Sequence, residues 1–196
     1  MESANILLVL KRFIKVLDEL SISYYIGGSI ASSVFGLPRA TMDIDIIADV
    51  QTTHIPHLKE RLERDFYIDK NMIKEAIHRS SSFNLIHLET AMKIDVFIPQ
   101  KDRYNESVNK RKLKDTLIEG DKTSEFYFSS PEDIILNKLK WYEMGKRVSE
   151  RQWLDIIGVI KVQEDSLNKD YLKSWAEKLG VSELLVDAFN EADVKM

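Results

Sequence analysis

Two short stretches constrain this chain more than any other. Residues 43–50 read DIDIIADV and residues 93–98 read KIDVFI. Each alternates apolar and acidic residues with the period of two that belongs to a β-strand. Ile44 and Ile46 point to one face, and Asp43 and Asp45 to the other, about 7 Å apart along the strand. In the second stretch Ile94, Val96 and Ile98 share a face, and Asp95 lies opposite with Phe97. Like charges so placed repel, so this face requires solvent or a cation. If the two strands are neighbours, three carboxylates surround one or two metal ions. Magnesium, which prefers hard oxygen ligands and phosphate oxygens, suits such a set, and manganese can take its place.

A third element precedes these. Residues 22–26 (ISYYI) read as a strand that ends at Gly27-Gly28, and Ser29 to Phe35 read as a helix closed by Gly36-Leu37-Pro38. Two glycines let backbone approach a ligand closely. A helix N-terminus with a serine hydroxyl suits a phosphate. Alone, each of these signals has an ordinary structural explanation; together they are far more specific.

The remaining pattern falls into two halves. Apolar spacing predicts a first helix over 4–20 and a charged one over 54–64. It predicts strands over 83–88 and 126–128 beside those at 22–26, 43–50 and 93–98. After Ser129-Ser130-Pro131 the pattern is helical, over 131–145, 149–163, 168–179 and 181–192. Ser130 is placed to cap the first of these, with Pro131 at its first position. The expected fold class is α+β: a mixed sheet flanked by helices over residues 1–129, then a C-terminal helical bundle over 130–196.

Composition narrows the setting. Hydrophobic residues make up 44% and charged residues 31%, with no cysteine and a net charge of −4. Disulfides and cysteine-ligated zinc are excluded. No stretch approaches the roughly 20 apolar residues that cross a membrane. The expectation is a cytoplasmic protein without a membrane partner. A negative balance argues against a surface coated in nucleic acid. The local basic run Lys101, Arg103, Lys110, Arg111, Lys112 and Lys114 reads first as a solvated face. His54, His57, His78 and His87 form no metal set and read as surface residues. Trp141, Trp153 and Trp175 read as packing between helices rather than stacking on a base, and Trp141, one turn from Lys138, is the best candidate for an exception.

Two charged residues stand out in the helical half. On a wheel of 100° per residue, Ile134, Ile135, Leu139, Trp141 and Tyr142 form one stripe with Lys138 in its middle. A lysine there either reaches a phosphate, or pairs with a structural carboxylate or snorkels out. Asp155 lies on a helix that is apolar almost all round. Its plain explanation is an i,i+4 pair with Arg151.

Gly28-Ser29, then Asp43-x-Asp45, then a later strand bearing Asp95, resemble the DNA-polymerase-β-type nucleotidyltransferase superfamily. RATMDIDI (39–46) also resembles the bacterial AbiEii-like branch, in which Arg-x-Thr, here Arg39 and Thr41, precedes the two aspartates. The resemblance implies that Asp43, Asp45 and Asp95 are catalytic and bind the metal. It implies that Gly27, Gly28, Ser29, Arg39, Thr41, Lys138 and Asp155 bind a nucleoside triphosphate such as ATP. The expected reaction is transfer of a nucleoside monophosphate to a hydroxyl, on a tRNA 3′ end or a protein, in a toxin–antitoxin or phage-defence setting. A different class remains open: a non-catalytic module that keeps this geometry and grips a partner protein. Binding of a triphosphate that depends on magnesium separates the two.

Overall fold

The computed structural model describes residues 2–41, 43–117 and 125–196. In chain order the elements are α1 (Glu2–Glu19), β1 (Tyr24–Ile26), α2 (Gly28–Phe35), β2 (Ile44–Ala48), α3 (Ile55–Leu62), β3 (Phe66–Tyr67), α4 (Lys70–Arg79), β4 (Ser82–His87), β5 (Lys93–Phe97), α5 (Arg103–Arg111), β6 (Leu113–Thr116), β7 (Glu125–Phe128), α6 (Pro131–Met144), α7 (Glu150–Gln163), α8 (Lys169–Leu179) and α9 (Ser182–Ala192). The result is a mixed α+β fold, with every strand in the first two thirds of the chain. Among the described residues no helix is long and apolar enough to cross a membrane.

The chain divides into two compact units, Met1–Gly27 with Thr41–Phe128, and Gly28–Ala40 with Ser129–Met196. A sequence pattern assigns 28–40 to the first half. In the structure this segment belongs with the later helices, because α2 packs on α6 and α7.

The first unit is a seven-stranded sheet in the order β3-β4-β5-β2-β1-β7-β6. β2 runs parallel to β5 and antiparallel to β1, and β4 pairs antiparallel with β5. Ile44, Ile46, Ile94 and Val96 have no exposed surface, as the alternation requires. Burial of each contributes about 1.5–3 kcal/mol. Leu10, Phe13 and Leu17 of α1 are buried as well, and the Phe13 ring meets Phe66 edge-on at 6.3 Å. His87 is no surface residue: it is buried, its Nδ1 lies 2.9 Å from Thr90 Oγ1, and its ring packs on Phe66 at 5.1 Å. Two polar contacts with Thr90, through its hydroxyl and its N–H, and one aromatic neighbour let an imidazole take a core position.

α4 and α5 are absent from the pattern reading because each buries only two side chains, Ile73 with Ala76 and Tyr104 with Val108. Their caps mark them instead. The Asp69 carboxylate accepts from the backbone N–H groups of Asn71 and Met72, and Asp102 accepts from Asn105 N–H.

The second unit is five helices. Ser130 caps α6 by accepting from Asp133 N–H, and its hydroxyl donates to the buried Asp133 carboxylate at 2.7 Å. Tyr171 Oη of α8 donates to the other Asp133 oxygen at 2.8 Å, tying α8 to the start of α6. Ile134, Ile135 and Leu139 are buried, whereas Trp141 is 52% exposed, contrary to its expected packing between helices. The last turn of α6 lies on the surface, so the apolar stripe ends one turn early. α2 and α7 meet where side chains are missing. A Cβ on Gly36 would stand 2.8 Å from both Ser32 O and Val159 N, and one on Gly158 would stand 3.2 Å from Leu37.

Gly36→Ala therefore forces backbone apart and lowers stability by about 1–3 kcal/mol. The urea midpoint falls with an unchanged m-value, and an unshifted midpoint would show that this contact does not limit packing.

Candidate active site

In the first unit the site residues gather on one sheet face. The parallel register sets Asp45 directly opposite Asp95, so both half-buried carboxylates leave the sheet on the same side. Asn84 of β4 stands opposite Asp95 on its other flank. Asp43 lies just before β2 and is exposed. Its N–H donates to Thr41 Oγ1 at 3.3 Å, which gives Thr41 a role in shaping the turn into β2. Gly27 N–H donates to Asp45 O at 3.0 Å, and a Cβ on Gly27 would stand 2.8 Å from Ile47 Cδ1, so the end of β1 packs tightly beside β2.

Pattern reasoning passed over Lys93. Its Nζ lies 2.7 Å from Asp95 Oδ2. The ammonium is held above its ordinary range, first by the hydrogen bond to Asp95, with the charges of Asp95, Asp43 and Asp45 adding to it. The signal was present: Lys93 is two residues from Asp95 in a strand and shares its face. Among the described residues no three His, Cys, Asp or Glu side chains close into a ready-made metal cage. The chemistry of this face nonetheless fits a hard cation, since it offers carboxylate oxygens and already draws in an ammonium.

In the second unit the remaining residues form a network around Asp155. Arg39 grips its carboxylate with two bonds, Nε to Oδ1 at 2.7 Å and Nη2 to Oδ2 at 2.9 Å. Lys138 Nζ donates to Oδ2 at 2.8 Å. Arg39 Nη2 also donates to Ser29 Oγ. Lys138 and Asp155 are buried, with 9% and 4% of their side chains exposed. The i,i+4 partner expected for Asp155 was Arg151, but Arg151 is exposed and Arg39 takes that place. Burial pushes the Asp155 carboxyl up, yet the bonds from Arg39 and Lys138 outweigh it and its pKa lies below the ordinary value. Ser29 sits in the first turn of α2, behind Gly28 with a φ of 55° that favours glycine.

The sequence matches no protein-family model and no curated protein. The structure is similar to the antibiotic-resistance factor ANT(2'')-Ia in solution, with a TM-score of 0.61 at 12% identity over 95% of this chain and 99% of that one. It is similar to an antigenic nucleotidyltransferase-like protein from Paracoccidioides brasiliensis, with a TM-score of 0.57 at 18% identity over 97% and 93% of the two chains. The fold is that of the nucleotidyltransferases. ANT(2")-Ia in complex with adenylyl-2"-tobramycin gives a TM-score of 0.59 at 12% identity over 89% and 97%. In a nucleotidyltransferase fold of such distant sequence, residue roles rest on this chain's own geometry.

Removing one partner of a buried ion pair leaves the other charge uncompensated. Asp155→Ala strands Lys138 and costs about 3 kcal/mol near neutral pH. Because the folded pKa of Asp155 is depressed, its contribution is complete above about pH 4 and is lost as pH falls through that lower value. Urea midpoints across an acid series should decline more steeply for the wild type than for Asp155→Asn. Parallel curves would remove Asp155 from the acid sensitivity of the fold.

Proposed function

We propose that this protein is a magnesium-dependent nucleotidyltransferase that moves a nucleoside monophosphate from a nucleoside triphosphate, ATP among them, to a hydroxyl acceptor. The observation that carries this reading is the pairing of Asp45 with Asp95 in parallel register, with Asp43 just before the strand that bears Asp45.

In this reading Asp43, Asp45 and Asp95 hold the metal. When bound there, magnesium, or manganese in its place, would supply positive charge to phosphate oxygens and would lower the pKa of the attacking hydroxyl. Asp95 accepts the proton of that hydroxyl. The hydroxyl oxygen forms a bond to the α-phosphorus, the bond from the α-phosphorus to the bridging oxygen breaks, and pyrophosphate leaves. Gly27 and Gly28 keep backbone free of side chains, and Ser29 at the first turn of α2 offers a hydroxyl and N–H groups to phosphate. Arg39 and Lys138 supply cations for the charge that leaves with pyrophosphate, and Asp155 holds both cations in place. Most of the rate then comes from positioning and electrostatics.

The Arg39-x-Thr41 signature supports an AbiEii-like role, with a tRNA 3′ end or a protein hydroxyl as the acceptor. It also supports a place in a cytoplasmic toxin–antitoxin or phage-defence pair.

The test offers purified protein, magnesium and α-labelled triphosphates to total tRNA and to cell lysate in separate reactions. Asp43→Ala and Asp95→Asn should each reduce labelling at least a hundredfold, with the circular dichroism spectrum unchanged. Calorimetry on the wild type should show triphosphate binding that requires magnesium. If neither binding nor labelling appears, the fold serves some other purpose in this chain.

A further inference from the structure

In the second unit one flank of the α6–α7 pair brings exposed apolar side chains beside cations. Lys138 meets Asp155, and Tyr142 packs on Trp153, so residues later in α6 face residues earlier in α7 and the two helices run antiparallel. At about 100° per residue, Trp141 lies roughly 60° round α6 from Lys138. Gly158 lies roughly 60° round α7 from Asp155 in the same sense. Between antiparallel helices the same sense of rotation leads to the same side. Leu37 marks that side, since a Cβ on Gly158 would stand 3.2 Å from it. So does Arg39, two residues on, which reaches in from there to grip Asp155. Arg151 and Leu154, roughly 40° and 100° round α7 in that sense, share the flank.

Trp141, Leu154 and Leu37 each leave more than half of their surface in water. The neighbouring aromatics are occupied: Tyr142 and Trp153 face one another at 5.1 Å, and Trp153 Nε1 donates to Glu191 at 2.8 Å. A single exposed apolar side chain is ordinary on a protein surface. The company of Trp141 is not. Its Cα stands about 4.5 Å of helical rise beyond Lys138. Arg39 and Lys138 together exceed the charge of the one carboxylate they share, Asp155. Arg151, whose expected place on Asp155 is taken by Arg39, is exposed and adds a third cation. A flat aromatic face joined to cations is complementary to a flat heterocycle joined to phosphates. Stacking of a base on such a ring uses its whole face and needs no buried hydrogen-bonding pocket.

We propose that Trp141 is the base platform of the nucleotide site: the base of the triphosphate stacks on its exposed indole, with Leu154 beside it, and the phosphates lie at Arg39 and Ser29. The proposal rests on the nucleotidyltransferase reading and adds to it the group that receives the base.

The experiment follows Trp141 directly. The chain has three tryptophans, so Trp153→Phe/Trp175→Phe leaves Trp141 as the only indole. With magnesium present, ATP should quench its emission saturably, and inorganic tripolyphosphate, which has no base, should leave it unchanged. In calorimetry Trp141→Ala should bind ATP about tenfold more weakly than the wild type, the loss of one stacked base. Its affinity for tripolyphosphate should stay within about twofold of the wild type, and Trp141→Phe, which keeps a stacking face, should recover most of the ATP affinity. Trp141 is exposed, so melting temperatures near that of the wild type are expected for both variants. ATP binding that Trp141→Ala leaves unchanged, or weakens no more than it weakens tripolyphosphate binding, overturns the proposal and leaves the nucleotidyltransferase reading intact. So does ATP binding without any change in Trp141 emission. A wild type that binds neither ATP nor tripolyphosphate overturns both.

Discussion

The register between β2 and β5 fixes everything the first unit can do. Asp45 opposite Asp95 places two like charges on neighbouring strands about 5 Å apart. At the effective dielectric of a protein surface that repulsion is about 3 kcal/mol, and solvent reduces it further. On the opposite side of the same strands, Ile44, Ile46, Ile94 and Val96 are fully buried, at about 1.5–3 kcal/mol each. Burial decides the contest. A slip of one strand by one residue would relieve the carboxylates and expose that strand's two buried side chains, Ile44 with Ile46 or Ile94 with Val96, so the orientation of the acidic face is a by-product that the core enforces. Lys93 then moderates that face, since its ammonium bonds Asp95 within the same strand.

The second unit solves the reverse problem. There a carboxylate is buried and must be compensated, and two cations converge on it. Arg39 can satisfy both oxygens of Asp155 because a planar guanidinium matches a carboxylate, while Lys138 brings a single ammonium along a mostly apolar helix. Such a cluster contributes less to stability than its bond count suggests, because desolvation opposes it. It does fix geometry. Arg39 cannot turn away from Asp155 without losing both of its bonds to that carboxylate and leaving it to Lys138 alone, and this holds its guanidinium on the Ser29 hydroxyl.

Legibility in the sequence followed the range of the interaction. Alternation in 43–46 and 93–98 is local, and it placed both strands and the shared face of Asp45 and Asp95, while Asp43 lies just before β2. The helical half and its cap at Ser130 were equally local. By contrast, Arg39 and Asp155 are 116 residues apart, and no spacing rule links them. The nearer Arg151 was the natural partner on paper, and only the packing of α2 on α7 brings Arg39 closer. His87 and Trp141 failed for a related reason. Residue type predicts their average burial, but the Phe66 ring beside one and the exposed last turn of α6 around the other settle the individual case. α5 was missed because so few of its side chains are buried.

Charge balance on the acidic face links these observations. Asp43, Asp45 and Asp95 carry three negative charges, and Lys93 returns one. A protein that needed only a stable sheet could place Asn or Thr at any of these positions without disturbing the buried side chains on the other face. The retained excess of negative charge is the kind of imbalance that a divalent cation offsets better than an ammonium, because it carries twice the charge and takes several oxygens at once. Lys93, 45% exposed on a flexible stem, could withdraw to solvent if such an ion were bound, whereas Asp45 and Asp95 are carried on strands. Lys93 is the counter-charge of this face as it stands, and in the proposed reading the strand register would hold Asp45 and Asp95 in place for an ion.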